Sequence, residues 1–120
     1  MRLLGLRGAT TCDANTKAEI EVKTQRLVQE MLERNALIHD DIVSIIFTAT
    51  DDLTAEFPAT AARALGLGDV PLLCARELDI DHGKPRCIRV LMHLQVDRER
   101  ASLHHVYLEG ARTLRDDLPE

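Results

Sequence analysis

The chain has 120 residues, 45% of them apolar, three aromatic residues and a formal charge of −5. That is one domain with an aliphatic core, long enough to bury roughly 65% of its unfolded surface. The acidic balance argues against a nucleic-acid binder, Cys12, Cys74 and Cys87 form no CxxC pair, the five His fall at no HxxxH spacing, and no apolar run approaches the ~20 residues of a membrane span.

Residues 1–11 are too short and too interrupted by Arg for a signal peptide, so a reduced cytoplasmic enzyme or binding module is expected. Residues 2–10 read as a first strand, with Leu4 and Leu6 on one face and Leu3, Gly5, Arg7 and Ala9 on the other. Gly8 weakens that strand and signals an end or a close backbone approach. Thr16 and Glu19 form a T-x-x-E capping box. Ile20, Thr24, Leu27, Val28, Met31 and Leu32 then recur at helical spacing, and Asn35 is the expected stop.

Residues 42–50 are apolar on both parities, Ile42 and Ile46 against Val43, Ile45 and Phe47. A strand of that kind is expected to be covered on both faces. A polar loop leads to a short helix over residues 57–66, with Pro58 near its first position and Gly66 at its end. Residues 70–77 read as another strand. Cys74 and Glu77 differ in parity, so a regular strand separates them; joint action requires a bulge or an end near Ala75-Arg76.

Residues 74–96 read as two strands joined by a tight connection at His82-Gly83-Lys84-Pro85. The second alternates cleanly: Ile88, Val90, Met92, Leu94 and Val96 against Cys87, Arg89, Leu91, His93 and Gln95. Residues 97–103 are polar with a turn of helix. Residues 105–109 read as a last strand with Tyr107 opposite Val106 and Leu108. Residues 111–120 are a charged tail expected to fray unless docked.

Three strands thus set a polar group opposite their apolar row: Arg7, Arg89 and Tyr107. If the apolar rows all face the long helix, these three share the other face of one sheet, near Glu77 and Cys74. Two guanidiniums, a phenol, a carboxylate and a thiol suit a small polyanion, because the planar fork of Arg matches carboxylate geometry. No nucleophile–base pair and no Gly-rich phosphate loop accompanies them. On the residues alone this is a site for a dicarboxylate-like ligand.

The blocks Leu6-Arg7-Gly8-Ala9-Thr10-Thr11, Phe57-Pro58-Ala59 with Ala62-Arg63, Cys74-Ala75-Arg76-Glu77-Leu78-Asp79, Cys87-Ile88-Arg89-Val90-Leu91-Met92 and His105-Val106-Tyr107-Leu108 resemble the monofunctional chorismate mutases of the trimeric bacillus-type class. They keep that family's order and approximate spacing over nearly the whole chain. The resemblance implies a single α+β domain over residues 1–120: a mixed sheet of about five strands, a long helix on one face and a homotrimer packed as a pseudo-barrel. It implies rearrangement of chorismate to prephenate in phenylalanine and tyrosine biosynthesis, without cofactor or metal, in clefts between subunits.

By that resemblance Arg89 donates to the ether oxygen, Glu77 accepts from the ring hydroxyl with Cys74 beside it, and Arg7 and Tyr107 hold the enolpyruvyl side. Phe57, Ala59, Leu73 and Leu114 would line the pocket; Arg63 and Arg115 would lie near its mouth. Thr60 stands where some relatives carry Lys and Leu73 where some carry Thr, which bears on substrate capture at the entrance. The rival expectation is a non-catalytic oligomeric α/β module that binds a small carboxylate ligand.

Overall fold

The computed structural model describes residues 1–114. Five strands form one mixed sheet: β1 (Arg2–Thr11), β2 (Ile42–Ala49), β3 (Leu72–Arg76), β4 (Cys87–Val96) and β5 (Val106–Tyr107). Their order is β3-β2-β4-β1-β5. The pairs β1/β4 and β2/β4 are antiparallel; β2/β3 and β1/β5 are parallel. Two helices, α1 (Lys17–Arg34) and α2 (Ala59–Ala64), complete the frame, with 3-10 turns at His39–Asp41, Arg100–Ser102 and Glu109–Thr113.

Helix α1 forms where its apolar period and cap demand it. The Thr16 hydroxyl accepts from the Glu19 N–H at 3.1 Å. The Glu19 carboxylate reaches past the cap to the Asp13 N–H at 2.7 Å, and so pins the incoming loop as well. Ile20, Thr24, Leu27, Val28 and Met31 are buried, as their spacing predicts. Leu27, Val28 and Met31 pack on Leu4 and Leu6 of β1, Ile45 and Phe47 of β2, and Val90, Met92 and Leu94 of β4, whereas Ile20 packs with Cys12, Leu53 and Ile88. Gly8 marks a close approach: a Cβ there would stand 2.5 Å from the Met31 sulfur and 3.1 Å from a Leu27 methyl. At the end of α1, buried Asn35 donates to the Met31 carbonyl at 2.9 Å.

Two sequence expectations are corrected. Residues 74–96 do not form adjacent strands, because β2 lies between β3 and β4. β3 runs parallel to β2, a pairing that needs a crossover, and α2 lies in it. The turn signal is nonetheless satisfied inside the link that follows β3, where the Gly83 N–H donates to the Ile80 carbonyl at 2.9 Å.

The second correction concerns β2. Its register with β4 shifts between Ile42 and Ser44, a bulge at Val43. The extra residue puts Ile42, Ile45 and Phe47 together in the core and turns Ile46 to the far face. Within one chain the α1 side of β2 is covered and the far side, where subunit contacts are expected, is open. Leu3, Val43, Leu73 and Leu91 are exposed large apolar residues of the strands, and Leu91, opposite Ile46 in the ladder, opens on the far face.

Candidate active site

The ladder decides which side chains meet. Arg7 lies opposite Leu91, Ala9 opposite Arg89, and Thr48 opposite Arg89 from the other side. Ala9 also pairs with Tyr107. Side chains at paired positions share a face, so Arg7, Ala9, Thr48, Arg89 and Tyr107 converge on the side away from α1. β3 ends at Arg76, and the Glu77 N–H carries the pairing one step further by donating to the Ala49 carbonyl at 2.9 Å. That step delivers the Glu77 carboxylate beside Arg89.

The result is a cavity of about 270 Å³ lined by Arg7, Ala9, Ile46, Thr48, Glu77, Arg89, Leu91 and Tyr107 among others. Within it the Arg89 Nε stands 3.3 Å from Glu77 Oε2. The same oxygen accepts from the Thr48 hydroxyl at 2.6 Å. The Glu77 side chain is 21% exposed and that of Arg89 44%. One edge of the guanidinium is thus held through Nε.

The start of β4, two residues before Arg89, is clamped. Arg86 sits at φ 45°, a conformation uncommon for a residue other than glycine. The Asp52 carboxylate accepts the Arg86 N–H at 2.9 Å, and the Thr50 hydroxyl accepts from the Cys87 N–H at 2.9 Å. The Arg86 Nε donates to the Cys12 carbonyl at 3.0 Å. Burial acts to raise the Asp52 pKa, but the Thr50 hydroxyl and the Arg86 amide together outweigh it and hold it below its ordinary value. Burial pushes the Cys87 thiol up, with the Arg89 guanidinium beside it acting the other way. Burial also raises the Cys12 thiol to about 11, which makes it an inert core group.

Cys74 lies elsewhere. β3 is regular, so Cys74 pairs with core-facing Phe47 and packs against the core, away from Glu77. It lines a second cavity of about 440 Å³, open at the β3 edge, with Ala49, Leu53, Glu56, Phe57, Pro58 and Arg76. Phe57 is 65% exposed there. Ala59 is buried in α2, Thr60 is half-buried and Arg63 is exposed. Leu73 stands opposite Ile46 and is exposed, outside both cavities. Leu114 packs with Ala9, Tyr107 and Ala111 beside the first cavity. The turn that brings it there is fastened by the Gly110 N–H donating to the Thr11 hydroxyl at 2.9 Å. Arg115 lies outside the described residues.

Thr48, Cys87 and Asp52 were missed as site components. Cys87 carried a signal, since it shares parity with Arg89. Thr48 was hidden because its closeness to Glu77 depends on the pairing of β2 with β3, and Asp52 by its position in a loop. Among the described residues no three His, Cys, Asp or Glu side chains converge as metal ligands, and no helix is long and apolar enough to cross a membrane.

A family profile described as Chorismate mutase type I matches residues 3–118. Chorismate mutase AroH of Bacillus subtilis is 43% identical over 98% of this chain and 94% of its own length. Chorismate mutase AroH of Thermus thermophilus is 44% identical over 95% and 94% respectively. A solved chorismate mutase from Clostridium thermocellum superposes with a TM-score of 0.88 at 49% identity, over 90% of this chain and 96% of that one.

Proposed function

This chain belongs to the chorismate mutase type I family and is a chorismate mutase, and on that premise we propose that the cavity framed by Arg7, Glu77, Arg89 and Tyr107 is where chorismate is rearranged to prephenate. The reaction is an intramolecular Claisen rearrangement. It needs no acid, base or nucleophile from the protein. What it needs is the enolpyruvyl arm held over the ring, an orientation effect, and stabilisation of charge as the bond breaks.

The Arg89–Glu77 arrangement carries this reading. The ether C–O bond breaks ahead of C–C bond formation, so negative charge grows on the ether oxygen. The terminal N–H groups of Arg89 would donate to that oxygen, and they bind it more strongly in the transition state than in the substrate. Nε anchored on Glu77 supplies the preorganisation. Glu77 would face the carbocyclic fragment, where positive character develops, and its carboxylate would accept from the ring hydroxyl. Arg7 and Tyr107 would grip the enolpyruvyl carboxylate, Arg7 through its planar fork. Arg63 and Arg115 are proposed for the entrance.

We further propose a homotrimer whose sites lie between subunits. Phe57 and Cys74 belong to a cavity at the β3 edge, apart from Arg89 in one chain. An exposed Phe and an open far face are what a neighbouring subunit would cover. The enzyme would work in the cytoplasm, in phenylalanine and tyrosine biosynthesis.

The test is the loss of chorismate ultraviolet absorbance on adding chelator-treated protein. Saturable conversion to prephenate is expected. A folded protein without turnover that binds chorismate would instead leave the carboxylate-binding module. Shared sites are tested by mixing Arg89→Ala and Phe57→Ala subunits and assaying well below the KM of the Phe57→Ala protein: activity above the sum of the two separate proteins is expected, and no gain over that sum would follow if each site belonged to one chain.

A further inference from the structure

One side chain outside both cavities ties two residues of the first together. Strand β5 contributes only two ladder positions, Gly8 with Val106 and Ala9 with Tyr107. The Leu108 N–H closes that end by donating to the Ala9 carbonyl at 2.9 Å. At the other end the main-chain pairing stops at Gly8, yet the Arg7 N–H is not left over. It donates to Nδ1 of His105 at 2.9 Å. An imidazole here takes the place of the carbonyl that a longer β5 would have offered. Since Nδ1 accepts, the ring proton of this tautomer lies on Nε2.

The segment carrying His105 is itself fixed. The buried Asn35 amide donates to the His104 carbonyl at 2.9 Å, and its oxygen accepts the His104 N–H at 2.7 Å. Asn35 thus grips His104 as a neighbouring strand would. His105 is anchored by the residue before it and, on its other side, opens the strand that bears Tyr107.

We propose that His105 is a positioning residue: by accepting the Arg7 amide it locks the main chain of Arg7 to the strand that carries Tyr107, and so sets the spacing of the two side chains that hold the substrate's carboxylate arm. It touches no reacting atom. The inference rests on the reading above that Arg7 and Tyr107 bind that arm. Its chemistry is specific, because an Asn side chain places its carbonyl oxygen where Nδ1 lies, whereas Gln reaches one bond too far.

The experiment compares His105→Ala, His105→Asn and His105→Gln, each also made with Arg7→Ala, in steady-state kinetics with chorismate. Hydrogen exchange of the Arg7 amide is followed in the unsubstituted protein and the three single His105 variants. His105→Ala is expected to raise KM about tenfold, with kcat changed less than about threefold. His105→Asn is expected to recover most of that loss and His105→Gln little of it. Arg7 amide exchange should be fast in the Ala variant and protected again in the Asn variant. In the Arg7→Ala background, His105→Ala should cost less than about twofold more, because the two act as a unit.

Unchanged Arg7 exchange in folded His105→Ala, no rescue by Asn, or fully additive losses with Arg7→Ala would each overturn the proposal. If Arg7→Ala alone leaves kcat/KM intact, the substrate-arm reading falls and the functional part of this inference with it. The exchange data then still report whether the His105–Arg7 bond exists.

Discussion

The two cavities are built in opposite ways. The Arg7–Glu77–Arg89–Tyr107 cavity takes its side chains from strands β1, β4 and β5 and from the residue just past β3. Each is fixed by a main-chain ladder, and Arg89 by a carboxylate as well. The Phe57–Cys74 cavity is lined by a loop and an edge strand, and its one aromatic residue stands in solvent. The first is preorganised within a chain, which is what charge stabilisation requires. The second is a surface that another subunit would have to complete.

The sharpest way to break this contrast is Arg89→Lys. An ammonium cannot keep one edge on Glu77 and still present two further donors in the same plane, so kcat should fall about 10²–10³-fold in the absorbance assay. Survival of kcat would remove the first cavity from catalysis. Glu77→Gln comes next: loss of the charged partner of Arg89 should lower kcat/KM by roughly tenfold to a hundredfold. Gly8→Ala asks whether the strand beneath that cavity tolerates movement. Forcing Met31 and Leu27 aside should cost about 1–3 kcal/mol in denaturant unfolding.

On the other side of the comparison, Phe57→Ala should raise KM about tenfold, change kcat less and leave stability nearly unaltered, because the side chain is 65% exposed in its own chain. No change in KM would separate the second cavity from the reaction. The smallest effect is in pH. The Asp52 carboxylate is held below its ordinary value of 3.8, so its contribution is complete above that value. It is lost as the pH drops through the lower folded value. Thermal stability should therefore decline below about pH 4, and Asp52→Asn should flatten that part of the profile by removing the titrating group.

Much of the fold was legible because its signals are local. The α1 stripe, the Thr16 cap and the alternation of β4 each depend on residues a few positions apart. The polar side of the sheet was legible too, since parity alone sets Arg7, Arg89 and Tyr107 opposite their apolar rows. Gly8 signalled an end or a close approach; the strand runs on to Thr11 and the approach is the one realised, against Leu27 and Met31, which could not be named from the strand itself.

What escaped the sequence were relations set at a distance. The bulge at Val43 adds one residue to β2, which sets Ile46 on the face opposite Ile42, and the pairing of β2 with β3 brings Thr48 to Glu77. No run of residues announces it, because period-two patterns carry no record of where a count slips. The separation of β3 from β4 by β2 is likewise a matter of strand order, and the turn at Ile80–Gly83 is equally compatible with a hairpin. Cys74 and Glu77, three residues apart in the chain, were divided between two cavities by an edge strand that stays regular. The amino-acid order thus determined which residues are polar, apolar or capping, and along which period. The tertiary structure alone decided which of them meet, because register and strand order are fixed by pairing between segments far apart in the chain.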